Sequence, residues 1–379
     1  MADEGARRAV TVTDRAAEAD APGGPRPMAR VRGRGAASNA AGRFERHGRE
    51  ACDDGWAQDD DLPPLRTEVA EERVGRILTR NASPDLSFDR SVNPYRGCEH
   101  GCTYCFARPS HAYLGLSPGL DFETRLTAKP GAAAALRREL SAKGYAPATI
   151  AIGTNTDPYQ PIERERRVMR EVLEVLQAFR HPVGIVTKGT LATRDVDILG
   201  EMGQGGLARV GVSITTLDAP LARSMEPRVP SPGHRLRAVE RLAAAGVPVR
   251  VCIAPVVPGL TDHEVEAILA AAAEAGAASA SLAMLRLPRE VAGLFRDWLA
   301  AARPERAARV MARVREVHGG QDYDPSFGRR LSGQGDYARL IRQRFKLACA
   351  RHGLTERMPP LRTDLFAVPP QPGDQLSLL

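Results

Sequence analysis

Lysine is scarce in this chain. Only Lys129, Lys143, Lys188 and Lys346 stand among its 53 basic residues, so a lysine placed in apolar surroundings is informative. Cysteine is scarce too. Six in 379 residues are too few and too clustered for a disulfide scaffold. No apolar run is long enough to cross a bilayer, which excludes a spanning helix and a membrane partner. The first residues, MADEGARRAVTVTD, contain no apolar signal core. A soluble, cytoplasmic protein is the expectation, and in a reducing compartment clustered cysteines read as metal-binding.

The excess charge is basic, with a formal net charge of +7, and it is uneven. Residues 30–49 hold six arginines against Glu45, and residues 303–357 hold thirteen Lys/Arg against six Asp/Glu. Such surface suits a polyanion, and nucleic acid, DNA above all, is the expected partner. The competing reading is a set of solvated helix faces in an arginine-rich chain.

Composition divides the chain into four segments. Residues 1–62 lack a sustained period and are expected to form a disordered basic and acidic arm. Residues 63–300 form the folded body, 301–357 a basic helical extension, and 358–379 a Pro-rich tail. In the body, β-prone runs alternate with helical stretches: Ser91–Tyr95, TIAIG at 149–153, VGIVTKG at 183–189, RVGVSITT at 209–216, VRVCIAP at 249–255 and ASASLAML at 278–285. One helix is predicted over Glu163–Phe179, with acids in its first turn. Another is predicted over 262–275, opened by a Thr261/Glu264 capping box. Six such units predict an α/β fold with a parallel sheet that can curl into a partial barrel. Ligands then bind at the carboxyl ends of the strands. Polar residues stand there: Thr154–Asp157, Thr187–Lys188 and Thr215–Thr216.

The densest chemistry is NPYRGCEHGCTYCFARPSHAY at 93–113, where Cys98, Cys102 and Cys105 are spaced C-x3-C-x2-C. A 4Fe–4S cube takes cysteine thiolates, and three of them leave one iron open. Structural zinc needs a fourth ligand. His100 is the nearby candidate, but it sits inside the Cys98–Cys102 interval and would have to fold back on its neighbours.

The motif, with Tyr104 just before its last cysteine, resembles the signature of the radical S-adenosylmethionine (SAM) superfamily. The longer string YRGCEHGCTYCFARPSHAYLGL is similar to the branch related to spore photoproduct lyase, described as DNA repair photolyase-like. GTNTDPYQPIE at 153–163, TKG at 187–189, SITTLD at 213–218, MEPRVPSPGHRL at 225–236 and APVVPGLTD at 254–262 also resemble this branch. The resemblance covers residues 65–355. It implies a partial (β/α)6 barrel, with the 4Fe–4S cluster on the loop after the first strand. It also implies reductive cleavage of SAM to a 5′-deoxyadenosyl radical, lyase-like action on DNA, and a reducing partner such as a flavodoxin or ferredoxin. The alternatives are a radical SAM modifier of RNA, protein or a small metabolite, and a cluster- or zinc-containing nucleic-acid-binding module without turnover.

The resemblance also assigns roles. Cys98, Cys102 and Cys105 would hold the cluster, Tyr104 would pack near the adenine, and Ser213 would meet the ribose. Asn155, Thr156 and Asp157 would surround the SAM amino group, Asp157 accepting from it; N-T-D-P is equally good turn chemistry. Lys188 ends an apolar run, where it needs a partner; the SAM carboxylate is one. Glu226 and Arg228 either pair structurally or approach SAM. The repair lyase quenches its substrate radical with a cysteine. Here only Cys252 is a candidate for that hydrogen donor, and a small buried cysteine is also ordinary packing. Finally, Gln375–Leu379 (QLSLL) resembles the bacterial sliding-clamp-binding peptide, with Leu379 where Phe is commoner.

Overall fold

The computed structural model describes residues 33–45 and 65–370. Ten strands are present among them: β1 (Glu68–Glu71), β2 (Leu78–Arg80), β3 (Arg90–Val92), β4 (Tyr95–Arg96), β5 (Arg125–Ala128), β6 (Ile150–Ile152), β7 (Val183–Thr187), β8 (Ala208–Ser213), β9 (Val249–Val256) and β10 (Ser279–Met284). Seven of them form one sheet in the order β10-β9-β8-β7-β6-β3-β2. Strands β3, β6, β7, β8, β9 and β10 are mutually parallel, and β2 pairs antiparallel on the β3 edge. Neighbours in space follow chain order, each joined by a crossover with a helix, as short right-handed βαβ connections require. The result is the open six-unit α/β barrel expected from the alternating runs, with all six β-prone runs on its parallel strands. A second sheet, β1-β5-β4, flanks it.

The core follows the residue pattern. The helix Val168–Ala178 buries Val168, Met169, Val172, Leu173, Val175 and Leu176, and they pack over Ile150, Ile152, Val183 and Ile185 of the sheet. Two predicted helix starts are corrected. The Glu163–Phe179 stretch breaks at Arg167, whose φ of 52° ends the short helix Glu163–Arg166 and opens the next. Glu163 is not a solvated first-turn acid. It is fully buried, bonded to the Tyr95 hydroxyl, the Met169 amide and Arg194. Nor does a capping box form at Thr261. The Glu264 carboxylate instead accepts from Thr216 Oγ1 and the Leu217 amide, and the helix begins at Val265.

Two expected boundaries also move. Residues 33–45, inside the span expected to be a disordered arm, pack against the body, with Arg34, Gly35 and Ala36 buried. The boundary at 300/301 cuts the helix Glu290–Ala302. This helix and Pro304–Val317 share a core containing Tyr104, Leu221, Phe295, Trp298, Val310 and Val314. Residues 358–370 run extended, with Phe366 against Phe179, Tyr145 and His181. Gln375–Leu379 lies outside the described residues. Among the described residues, no helix is long and apolar enough to cross a membrane.

Candidate active site

A cleft of about 920 Å³ opens at the carboxyl ends of the parallel strands. Its wall includes Cys98, Cys102, Cys105, Tyr104, Asn155, Thr156, Asp157, Lys188 and Ser213. Alternation on β8 and β9 aims Ser213 and Ala254 into the barrel, and Val186 and Ala283 reach the same cleft from β7 and β10. Nine of the ten residues singled out from sequence therefore meet in one place. The tenth, Cys252, does not line the cleft. It lies two residues below Ala254 on β9, opposite Ser213 and Ser281 in register, with its thiol bonded to Ser281.

The cysteine loop is pinned along its length. Cys98 N–H donates to Phe122 O at 2.9 Å, Glu99 N–H to Gln160 Oε1 at 2.8 Å, and Thr103 N–H to Met225 O at 3.0 Å. Gly101 turns the loop with φ of 66°, and a Cβ there would lie 2.6 Å from Glu123 Oε2, so glycine is required twice over. None of the three cysteines is in a disulfide. Burial pushes the thiols of Cys98, Cys102 and Cys105 up, so each keeps its proton until a cation replaces it. Among the described residues, no three His, Cys, Asp or Glu converge as the ligands of a single ion. A cube does not ask for that convergence, because each thiolate takes a different iron. Three thiols on one cleft wall, paired with nothing, fit such a cluster.

Behind Tyr104 lies a buried polar network. Glu226 is 1% exposed. It accepts from the Tyr104 hydroxyl, from Thr215 Oγ1 at 2.9 Å and from Arg235 at 2.8 Å. Burial alone would raise its carboxyl; Arg235, Lys188 and the two hydroxyls outweigh it and hold the group below the ordinary carboxylate range. Lys188 Nζ is 3.9 Å from Glu226, donates to Ala254 O at 3.1 Å, and lies 5.7 Å from the Tyr104 ring centroid. Of the two readings left open for Glu226 and Arg228, the mutual pair is not formed. Glu226 pairs with Arg235, while Arg228 lies 3.3 Å from Glu99.

Asp157 lines the cleft and is held by local and distant donors. Its Oδ1 accepts from Tyr159 N–H at 2.9 Å and Thr187 Oγ1 at 2.6 Å. Its Oδ2 accepts from Lys188 N–H at 2.7 Å and lies 3.3 Å from His100 Nδ1. The carboxylate thereby ties the cysteine loop to the β7 end. His100 faces Asp157 through Nδ1 and also lines the cleft. Thr156 Oγ1 donates to Gly97 O, and only Asn155 of the three is exposed. The sequence offered one signal for Glu226, its place in MEPR. Arg108 and Gln160 stand within the strings YRGCEHGCTYCFARPSHAYLGL and GTNTDPYQPIE without a role read for them, and for Glu123 the sequence offered no signal.

Comparison with known proteins decides the family. The Radical SAM superfamily model matches residues 92–272. An uncharacterized protein of Mycobacterium tuberculosis is 38% identical over 290 residues, spanning 76% of this chain and 82% of that one. The chain belongs to the radical SAM superfamily. A more distant relative, an uncharacterized protein of Methanocaldococcus jannaschii, is 26% identical over 173 residues, covering 46% of this chain and 62% of its own. Among solved structures, a spore photoproduct lyase mutant superposes with a TM-score of 0.55 at 15% identity, over 76% of this chain and 80% of that one. A second mutant of that lyase, with bound AdoMet and dinucleoside spore photoproduct, gives 0.54 over the same shares. At that identity the likeness establishes the fold. Radical SAM enzymes use a 4Fe–4S cluster and SAM, and they need a reductant.

Proposed function

We propose that this radical SAM enzyme acts on nucleic acid, with DNA in a lyase-type repair reaction as the leading substrate. The supporting observation is the rim of the cleft. Phe106, 44% exposed, carries the Arg286 guanidinium 4.1 Å from its ring centroid. Further along the same two segments, Tyr113 is 67% exposed and bonded to Arg289, and Arg43 lies over both Tyr113 and Phe44 at 4.9 and 4.8 Å. Exposed rings offer stacking faces for unpaired bases, and Arg286, bonded to no carboxylate among the described residues, offers a cation for phosphate, whereas Arg43 is paired with Glu290. The fold shared with a lyase crystallised with a dinucleoside photoproduct points the same way. The basic stretch 303–357 supports the reading less than its charge suggested. Arg313, Arg315, Arg329, Arg330, Arg339 and Arg344 are each paired with a carboxylate.

The residues divide the work. Cys98, Cys102 and Cys105 would hold the cluster. When bound, the reduced cluster supplies an electron that splits the SAM C–S bond, leaving methionine and a 5′-deoxyadenosyl radical to take hydrogen from substrate. Lys188 has donors left after Ala254 O and would hold the SAM carboxylate. Ser213, Asn155 and the Tyr104 ring would frame the rest, while Asp157 and Thr156 keep the loops in place. Cys252 can return hydrogen only to a substrate that reaches one row deeper than Ala254. A flavodoxin or ferredoxin would supply the electron, and a sliding clamp held by Gln375–Leu379 would keep the enzyme at DNA in the cytoplasm.

The test is anaerobic turnover with SAM, a reductant and ultraviolet-irradiated DNA, followed by mass analysis. The expected result is 5′-deoxyadenosine formation stimulated by the DNA, with a changed nucleotide product. Equal formation with and without nucleic acid, and no changed nucleotide, would overturn it.

A further inference from the structure

The seven-stranded sheet ends at β10 and β2, and the β10 amides of Ala280 and Met284 are taken by Thr355 and Leu331. Residues 33–45 lie elsewhere, against the cysteine loop. The segment starts beneath the cysteine loop and ends on the helix that follows β10. Near its start, Arg34 donates to Glu123 O at 2.9 Å, to Leu65 O at 2.7 Å and to Thr67 Oγ1 at 3.1 Å. Thr67 Oγ1 in turn donates to Glu99, which lies between Cys98 and Cys102. The Gly35 and Ala36 amides donate to the two Glu123 carboxylate oxygens at 2.8 and 2.9 Å. Further on, Ala36 packs with Leu120 and Leu294, and Arg43 pairs with Glu290 at 3.0 Å.

Glu123 is the hinge of this arrangement. It has no exposed surface, and its fourth donor is Arg108 at 2.5 Å. Arg108 also donates to Cys102 O at 2.9 Å. One carboxylate thus joins the segment to the backbone of a cysteine. The contact is close as well as polar, since a Cβ on Gly35 would lie 1.7 Å from the Gly101 carbonyl oxygen. Nothing larger than glycine can pass there without displacing the loop.

We propose that residues 33–45 are a strap that, through Glu123 and Arg108, holds the cysteine loop in its metal-binding shape. The strap lies wholly outside the stretch matched by the family model. Glu123 and Gly35 are positioning residues; neither touches the cluster. The inference rests on Cys98, Cys102 and Cys105 being the cluster's ligands.

The experiment compares the full chain with Gly35→Ala and Glu123→Gln after anaerobic reconstitution. It reads iron per monomer, the half-time of iron loss to a chelator, and the electron paramagnetic resonance of the reduced cluster with SAM. Alkylation rates of the metal-free cysteines and circular dichroism accompany these. Both variants are expected to fold, to lose iron about tenfold faster or more, and to expose their cysteines to alkylation. Glu123→Gln keeps an acceptor for the strap amides, so it remains informative if Gly35→Ala fails to fold. Native half-times and spectra in folded variants, even with a lowered melting temperature, would overturn the strap's role. Iron held equally well by Cys98→Ala would instead overturn the ligand assignment itself.

Discussion

On the floor of the cleft, Glu226 meets Arg235, Tyr104 and Thr215 with almost no surface left to water. At the rim, the half-buried Arg286 stacks on the exposed Phe106 ring and bonds Tyr323, and no carboxylate among the described residues is bonded to that arginine. The floor is built of buried, paired charges, with only Arg235 Nε of that arginine left unbonded, an arrangement that fixes geometry because any displacement strands a charge. The rim is built of planar groups that keep their faces free. A floor of this kind suits an invariant ligand, and a rim of this kind suits a substrate whose bases differ from one encounter to the next. The contrast makes different predictions for substitutions only a few residues apart.

The sharpest break is at the cysteines. Replacing Cys98, Cys102 or Cys105 by alanine should abolish iron binding and reduce 5′-deoxyadenosine formation to that of a protein-free control, with the apo fold intact by circular dichroism. Iron analysis and product chromatography check this. Retention of SAM cleavage by any one variant would show that the floor does not depend on that thiol.

Next is the network behind Tyr104. Glu226→Ala leaves Arg235 fully buried without its partner, and one-sided loss of a buried pair costs about 3–5 kcal/mol. Denaturant unfolding of the metal-free protein measures it. A change under about 1 kcal/mol would mean that the floor tolerates water and that its rigidity has been overstated.

How much of this could be read in advance differs between the two regions. The floor residues carried by short motifs were legible, because C-x3-C-x2-C, N-T-D and T-K each place their groups within one loop. The barrel was legible because apolar runs such as VGIV and VRVCI mark strands buried on both faces. What escaped was long-range. The turn reading of Asp157 was legible, since Tyr159 N–H is two residues on, but its other partners, Thr187, Lys188 and His100, are 30, 31 and 57 residues away. Residues 33–45 read as unstructured because their composition is polar and glycine-rich. Their fixation comes from Glu123, about 90 residues later in the chain. The rim was illegible for the same reason, since Arg286 and Phe106 come from opposite ends of the barrel.

A third prediction separates floor stability from that of the shell. His181 is buried under Phe366, far along the chain from the cysteines, and burial lowers its pKa to about 4. In the unfolded chain its pKa is near the ordinary value of about 6.5. Between those values the unfolded state binds the proton and the folded state does not. Stability should therefore fall as pH drops from about 6.5 to 4, by about 3 kcal/mol in all at roughly 1.4 kcal/mol per pH unit. His181→Gln should flatten that part of the pH profile of the metal-free protein. An unchanged profile would assign the acid sensitivity to other groups and weaken the separation of shell from floor.

The smallest effect is expected at the rim, and it is the one that tests the contrast most directly. Arg286→Ala removes a guanidinium stacked on an exposed ring, so the apo protein should keep its stability to within about 0.5 kcal/mol. Cleavage of SAM in the absence of substrate should likewise be unchanged, because nothing on the floor is bonded to Arg286. Retention of single-stranded DNA should weaken by about tenfold, in keeping with about 1–3 kcal/mol per stacked base. If the guanidinium also meets a phosphate, the slope of log affinity against log salt should become shallower by about one. Fluorescence titration at several salt concentrations gives both quantities from one series. Loss of cofactor cleavage with unaltered DNA retention would reverse the assignment, making Arg286 part of the cofactor's housing and leaving the substrate to be held elsewhere.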